Sequence, residues 1–315
     1  MNIWRLQTNT AGGNIGFYCL DKNAACMGWS LTDDEVGLSE KERSNINSIE
    51  DFYQLAEKHP NPNYNVNSVR RLYRDVKPND LIWMRVNGLY YLGRVGEKSI
   101  WKFDASKEAS DFDASNQRTD IEWLVLKDSD ESSIPGTIRT AFIRGQTIQR
   151  IRAEGIVKYS QFLYNKHTNT NTYDVNKEHK SDEERMTIFY NYLSTDESED
   201  LLCMWLFSEF GYITIPSTSK NETQLYECVL LNPKNGNNIY VQVKKGYDDI
   251  DGDNYKHLNG EVWLFTTRGK TKNLCRNIKS VNPSVLYDFA FSIKSINLLP
   301  KGILSWVAHM NLYFT

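Results

Sequence analysis

The sequence of 315 residues has few of the groups that build metal centres or covalent active sites. Its five cysteines form no Cys-x-x-Cys pair, and its five histidines are scattered. Zinc sites draw mainly on clustered cysteine and histidine, so we expect none. Cys203 and Cys228 lie in apolar runs and are interpreted as small core residues. Unpaired cysteines are typical of a reduced, cytoplasmic protein, and the missing Gly-x-Ser-x-Gly motif argues against acyl transfer.

Long apolar runs and an excess of basic residues are also missing. No run approaches the ~20 residues that span a bilayer, and residues 1–5 do not begin a basic-then-apolar leader. We therefore expect neither a membrane partner nor a secretory signal. A net charge of -3 excludes a globally basic nucleic-acid coat but permits a local basic groove. The chain is long enough for two domains.

The first 155 residues have the pattern of a β-rich domain. Short aromatic and β-branched runs alternate with turn residues, and Asn87-Gly88 between two of these runs predicts a tight hairpin. Helices are predicted at residues 49–58 and 67–75. Residues 156–198 are more polar and are interpreted as a linker around a helix at 184–193.

The last part of the chain, residues 199–315, has an α/β pattern. An amphipathic helix is predicted from Glu199 to Phe210, where Gly211 ends it. Strands are predicted at residues 212–215, 225–231, 239–244 and 261–266, and residues 280–315 have a helical, apolar pattern. The fold class expected is therefore α+β with two domains, the second with a mixed central sheet.

Three polar residues in two of these strands carry the chemical hypothesis. Asn235-Gly236 favours a two-residue type I′ turn, which would place Glu227 directly opposite Lys244, with Gln242 on the same face. Glu227, Gln242 and the Val243 carbonyl offer oxygen ligands for Mg²⁺, and Lys244 can orient or deprotonate an attacking water. The alternative is a structural Glu–Lys pair with a glutamine beside it.

The order of motifs around these residues resembles the Mrr-like branch of the PD-(D/E)xK nuclease superfamily. The motifs are Glu199-Asp200, Gly211-Tyr212, Tyr226-Glu227 and Val241-Gln242-Val243-Lys244, within roughly 195–270. The resemblance implies a restriction-endonuclease-like domain that hydrolyses phosphodiesters with Mg²⁺ or Mn²⁺. It assigns catalysis to Glu227, Gln242 and Lys244, with Glu199 as the assisting helix acid. Glu227 departs from the commoner aspartate, and Gln242 is a neutral ligand.

A second resemblance covers residues 1–152. The order of Ile3-Trp4-Arg5, Cys26-Met27-Gly28-Trp29, Tyr91-Leu92-Gly93-Arg94-Val95 and the run from Gly145 to Ile151 is similar to EVE/YTH-type domains of the PUA superfamily. This implies a β-barrel-like domain with helices that reads nucleic acid and holds one base, often modified, in an aromatic pocket. Stacking against aromatic walls returns ~1–3 kcal/mol per base.

Aromatic and basic residues of this first domain are the candidate contacts. The candidate pocket walls are Trp29, Trp83 and Trp101, with Tyr18 and Tyr90 behind them; the alternative is that these rings fill the core. Arg139, Arg144 and Arg150 are candidate phosphate contacts, or else part of a solvated face.

Together these patterns predict a modification-dependent restriction endonuclease acting against foreign DNA. Its first domain would recognise a modified base and its second would cut, with two chains meeting at least transiently on DNA. Two alternatives stay open. One is a nucleic-acid sensor with a nuclease fold that does not cut, and the other is a first domain that reads RNA.

Overall fold

The computed structural model describes residues 1–8, 15–32, 36–59, 65–126, 133–143, 145–216 and 226–315. The backbone is a mixture of helices and several β-sheets, which confirms the mixed α and β class. It divides into two compact units. One comprises Met1–Asp130 with Ile138–Val175, and the other comprises Glu131–Thr137 with Asn176–Thr315.

The elements as far as α7 follow one another in short segments. They are β1 (Ile3–Leu6), α1 (Ile15–Asp21), β2 (Ala25–Met27), α2 (Glu40–Arg43), α3 (Ile49–Ala56), α4 (Asn67–Arg74), β3 (Leu81–Val86), β4 (Leu89–Val95), β5 (Trp101–Phe103), α5 (Lys107–Asp111), β6 (Asn116–Arg118), β7 (Ile121–Val125), α6 (Gly136–Ala141), β8 (Ile148–Ile151) and α7 (Ile156–Thr168).

The main sheet of the first unit has the order β7-β4-β3-β1-β8. Strands β1 and β3 are parallel, and the other neighbours are antiparallel. Within the described residues its two outer strands, β7 and β8, do not pair with each other, so the sheet is open. The β-barrel-like arrangement predicted for this part of the chain is therefore not closed by the strands that the structure describes. A separate three-stranded sheet has the order β2-β6-β5.

The hairpin between β3 and β4 turns at the predicted position. Val86 pairs with Leu89, so the loop is Asn87-Gly88. Both loop residues have positive φ, 47° and 81°, as a type I′ turn requires. Asparagine and glycine are the residues that adopt this conformation at least cost. The sequence therefore determines the register of this pair.

The second unit contains the later elements. They are α8 (Asp182–Tyr192), α9 (Thr195–Phe210), β9 (Ile213–Thr214), β10 (Cys228–Leu231), β11 (Asn238–Lys244), β12 (Ile250–Asp251), β13 (Glu261–Thr266), β14 (Thr271–Lys272), β15 (Ile278–Ser280), α10 (Pro283–Ala290) and α11 (Lys301–Tyr313). Residues 156–198, predicted as a linker around one helix, thus contain all of α7 and α8.

The central sheet of the second unit is mixed, with the order β15-β13-β11-β10-β9. Strands β11, β13 and β15 run parallel, while β10 is antiparallel to both β11 and β9. Strand β11 lies in the middle, and its odd-numbered valines, Val241 and Val243, are buried. No helix in the described ranges is long and apolar enough to cross a membrane.

Candidate active site and nucleic-acid contacts

The hairpin between β10 and β11 has a different turn from the one predicted. Asn235 is absent from the residues with positive φ, whereas Gly236 has φ 73°. Asn232 organises the loop instead: its carbonyl accepts the Gly236 N–H at 2.8 Å, and its side-chain oxygen accepts the Lys234 N–H at 3.0 Å. Pro233 follows it with the fixed φ that suits the second position of a turn. The type I′ prediction is wrong here.

The longer loop changes the register of the two strands. Cys228 pairs with Val241, and Leu231 with Asn238, which places Glu227 across from Gln242 rather than across from Lys244. The predicted register is therefore wrong by two residues. Because side chains alternate with a period of two, a two-residue shift leaves Gln242 and Lys244 on the face predicted for them.

Glu227 and Gln242 are in direct contact. The Gln242 amide Nε2 donates to the Glu227 carboxylate Oε1 at 2.8 Å and to the Val243 carbonyl at 3.0 Å. Gln242 is 2% exposed. A hydrogen bond to a charged acceptor contributes about 1.5–3 kcal/mol. Two of the three predicted metal-ligand oxygens, those of Glu227 and Val243, therefore converge on the Gln242 amide nitrogen.

Lys244 lies at the end of β11 and is half-buried. Its backbone is fixed by the parallel pairing with Thr266 and by the Thr267 N–H, which donates to the Lys244 carbonyl at 3.1 Å. Its ammonium has no hydrogen bond or ion pair with any residue that the structure describes. Lys245, by contrast, donates its Nζ to the Leu193 carbonyl at 2.5 Å. Of these two neighbouring lysines, Lys244 has the ammonium available to a ligand.

Helix α9 is anchored at its beginning by a capping box. The Ser194 hydroxyl accepts the Glu197 N–H at 3.1 Å, and Glu197 accepts the Ser194 N–H at 2.7 Å. The other Glu197 oxygen accepts the Trp306 indole N–H at 3.0 Å. These bonds satisfy donors that a helix beginning leaves open. They fix the part of α9 that carries Glu199.

Glu199 lies in a different environment from the one predicted for a partner of Glu227. Its carboxylate has an oxygen within 4.8 Å of the Cys228 sulfur, and Cys228 pairs with Val241, whose side chain lies on the opposite face of the sheet from that of Gln242. Burial, opposed by the Cys228 contact, raises the pKa of Glu199 above its usual range, and the nearby negative charge of Glu227 adds to the rise. Glu199 is thus near Glu227 but is not hydrogen-bonded to Glu227 or Gln242.

The oxygen atoms at the hairpin suit a hard divalent cation. Glu227 supplies a carboxylate and Val243 a carbonyl, and rotation of the Gln242 amide would present its oxygen in place of its nitrogen. Mg²⁺ binds oxygen ligands and keeps several waters. A half-buried carboxylate with an ammonium on the same face can therefore hold a metal ion, a phosphate oxygen and a water together.

The five predicted pocket aromatics do not form one group. Trp83 and Tyr90 contact each other, with ring centroids 6.5 Å apart, and the Trp83 indole donates to Ser160 at 3.0 Å. Both are buried. Tyr18, Trp29 and Trp101 instead belong to a hydrophobic cluster that also contains Ile82 and Met84; Tyr18 is buried and the two tryptophans are half-buried. Because side chains alternate along β3, Trp83 faces away from this cluster, while Ile82 and Met84 face it.

Trp29 differs from the other four in its backbone. Its φ is 59°, a left-handed conformation that a bulky residue adopts at a cost of about 1–2 kcal/mol. The carbonyls of Gly28 and Trp29 both accept from the Asn116 amide, at 2.7 and 3.2 Å. A Cβ on Gly28 would lie 2.0 Å from the Asp113 carboxylate. The surrounding residues therefore hold a strained tryptophan at a half-exposed position.

The three predicted phosphate contacts have different settings. Arg139 is half-buried on α6, and Arg150 is exposed on β8, where it pairs with Trp4. Arg144 lies outside the described residues.

Sequence analysis did not predict the cluster formed by Glu199, Cys203 and Cys228. One ligand atom from each lies within 4.8 Å of the others. Cys203 and Cys228 were interpreted as small core residues, and their side chains are indeed buried, at 4% and 1% exposed. The i, i+4 spacing of Glu199 and Cys203 was an available signal, because such residues share a helix face. That Cys228, on β10, lies beside these two residues could be learned only from the fold.

Comparisons of the chain with protein-family models, with curated proteins and with solved structures give no match.

Proposed function

We propose that the chain is a metal-dependent endonuclease that cuts base-modified DNA. The observation that carries the proposal is the convergence of Glu227, Gln242 and the Val243 carbonyl on one point, with Lys244 on the same face. Acid, amide and amine in this arrangement are what phosphodiester hydrolysis with Mg²⁺ or Mn²⁺ requires. The resemblance to PD-(D/E)xK nucleases concerns these same residues.

Each residue then has a separate task. Glu227, with the Val243 carbonyl, would hold the metal ion, and Gln242 would turn its amide oxygen towards it. The bound metal supplies Lewis acidity at the phosphate. Lys244 holds or takes a proton from the attacking water and offsets the charge that develops on the phosphate oxygens. Cleavage of both strands would require two chains on the DNA.

Recognition of the base is assigned to the first unit, as the resemblance to EVE/YTH-type domains implies. Trp29 and Trp101 are the candidate walls, because both are half-buried and share one core. Trp83, Tyr90 and Tyr18 are buried and would support the sheet and the core. Arg150, exposed on an outer strand, is the candidate phosphate contact.

A second function, binding of nucleic acid without cleavage, is favoured by one contact. The Gln242 amide already satisfies the Glu227 carboxylate and the Val243 carbonyl, so the site is stable without a cation. A sensor that had lost hydrolysis could keep this arrangement.

The decisive experiment is a cleavage panel with the full chain. The substrates are unmodified, methylated, hydroxymethylated and glucosylated DNA, with a modified RNA in parallel, each with Mg²⁺, Mn²⁺ or a chelator. The proposal expects cleavage of one or more modified DNAs, with metal only. Binding without cleavage in every metal would establish the sensor instead. Preference for the RNA would overturn the assignment to DNA.

A further inference from the structure

The cluster at Glu199, Cys203 and Cys228 has donors of a different kind from the Glu227 hairpin. Cys203 follows Glu199 by one helical turn on α9, and Cys228 begins β10. The two sulfur atoms are 3.5 Å apart, and the ligand atoms of all three residues lie within 4.8 Å of one another. We propose that these three side chains bind a thiophilic divalent cation, with Zn²⁺ as the leading candidate.

The spacing of the sulfur atoms supports this assignment. Two thiolates, each about 2.3 Å from a tetrahedral zinc ion, are about 3.8 Å apart. The observed 3.5 Å therefore needs only a small adjustment to hold the ion between them. A disulfide would need the sulfurs to approach to about 2.05 Å, a larger movement.

The chemical type of the donors selects the metal. Thiolate sulfur favours Zn²⁺ and other soft ions, whereas Mg²⁺ requires oxygen. Two sulfurs and one carboxylate give three protein ligands, and the half-exposed Glu199 leaves one side for water or another exchangeable ligand. Three protein ligands with a fourth exchangeable position are typical of zinc sites that are not purely structural.

The two thiols of the cluster are buried and face each other. Cys203 and Cys228 are 4% and 1% exposed, and each is the other's hydrogen-bond partner. Because metal-bound cysteines are thiolates, each Zn²⁺ that forms two Zn–S bonds displaces two thiol protons to the buffer.

Cadmium titration tests the proposal directly, because cadmium–thiolate bonds give an ultraviolet charge-transfer band. The full chain is titrated with Cd²⁺, and then with Zn²⁺ by calorimetry and by proton release in weak buffer. We expect one ion per chain and the release of up to two protons. Cys228→Ser and Cys203→Ser should each lower the affinity more than about tenfold. The matched control is Cys275→Ser, since Cys275 is exposed and outside the cluster.

Glu199→Gln gives a second measurement that keeps both sulfurs. It should retain the cadmium–thiolate band while weakening Zn²⁺ binding about tenfold or more. Thermal melts of every variant identify any that fail to fold. Absence of the band in the wild-type chain would overturn the proposal. So would a band that persists in Cys228→Ser or disappears in Cys275→Ser. Neither result depends on whether DNA is cut.

Discussion

Gln242 donates its amide to the carboxylate of Glu227 across the β10–β11 pair, at 2.8 Å. The contact joins an amide on the central strand to an acid at the beginning of its neighbour. It keeps the acid satisfied without a cation, and it places the acid where a cation would have a carbonyl and an amide as further ligands.

Replacing Lys244 by alanine should abolish cleavage of DNA without unfolding the chain. Its ammonium has no partner within the described ranges, so its removal leaves no broken contact, while the charge proposed to assist hydrolysis is lost. We expect at least about a hundredfold fall in rate, the scale of losing one transition-state contact. Nicking of a plasmid with Mg²⁺ measures the effect. Lys234→Ala, in the exposed hairpin loop, is the matched control. Equal nicking by both variants would remove Lys244 from catalysis.

Gln242→Glu should make the stability of the second unit depend on metal. The substitution places a second buried carboxylate beside Glu227, and like charges at hydrogen-bond distance repel. With a chelator, the free energy of unfolding should fall by about 1–3 kcal/mol, since a buried bond is lost as well.

Mg²⁺ should restore much of that loss in Gln242→Glu and little in the isosteric control Gln242→Leu, which offers no oxygen. Thermal melts with and without metal compare the three chains. An equal response of both variants to Mg²⁺ would count against a metal at this position.

Trp29→Asn should keep the fold and lose binding of a modified base. Asparagine adopts left-handed φ more readily than tryptophan, so the substitution relieves backbone strain of about 1 kcal/mol while it removes the ring. Fluorescence anisotropy with modified oligonucleotides measures binding. Leu31→Asn is the comparison, because Leu31 also has positive φ, 53°, but is fully buried. It should destabilise the chain. Unchanged binding by Trp29→Asn would exclude that ring as a pocket wall.

The two Asn-Gly turns should respond differently to alanine. Asn87 has positive φ, so Asn87→Ala should cost about 1 kcal/mol of backbone strain, whereas Asn235→Ala should cost no such strain and lose only the exposed bond that its side-chain oxygen accepts from the Asn237 N–H. Gly236→Ala should again cost about 1 kcal/mol, from strain alone, since a Cβ there meets nothing within 4 Å. Chemical denaturation measures all three. Equal costs at Asn87 and Asn235 would show that both loops share one turn type.

Acid should weaken the beginning of helix α8 through Glu184. This carboxylate accepts from the Ser181 N–H at 2.8 Å and from its hydroxyl at 2.9 Å, and these bonds lower the pKa of Glu184 from 4.5. Its contribution is present above the ordinary pKa and is lost as the pH falls through the lowered one. Unfolding of wild type and Glu184→Gln should therefore differ most near neutral pH and converge in acid. A constant difference would contradict this account.

Local sequence signals predicted most of the elements but only part of the site. The run at residues 261–266 became a strand with those limits, because β-branched and aromatic residues suit a sheet. At Asn235-Gly236 the rule that Asn-Gly forms a type I′ turn failed, because Asn232 and Pro233 form a competing turn upstream. Cys203 and Cys228 meet only because α9 packs against the sheet, a long-range contact that no local pattern records.

The central position of β11 has a consequence for motion. Its backbone bonds to β10 on one side and to β13 on the other, so no edge is free for local opening. Amide protons at Val241 and Val243 should be among the slowest of the chain to exchange with deuterium. In the proposed active site, adjustment to a substrate would therefore come from side-chain rotation at Gln242 and Lys244, because the backbone of β11 is hydrogen-bonded on both sides.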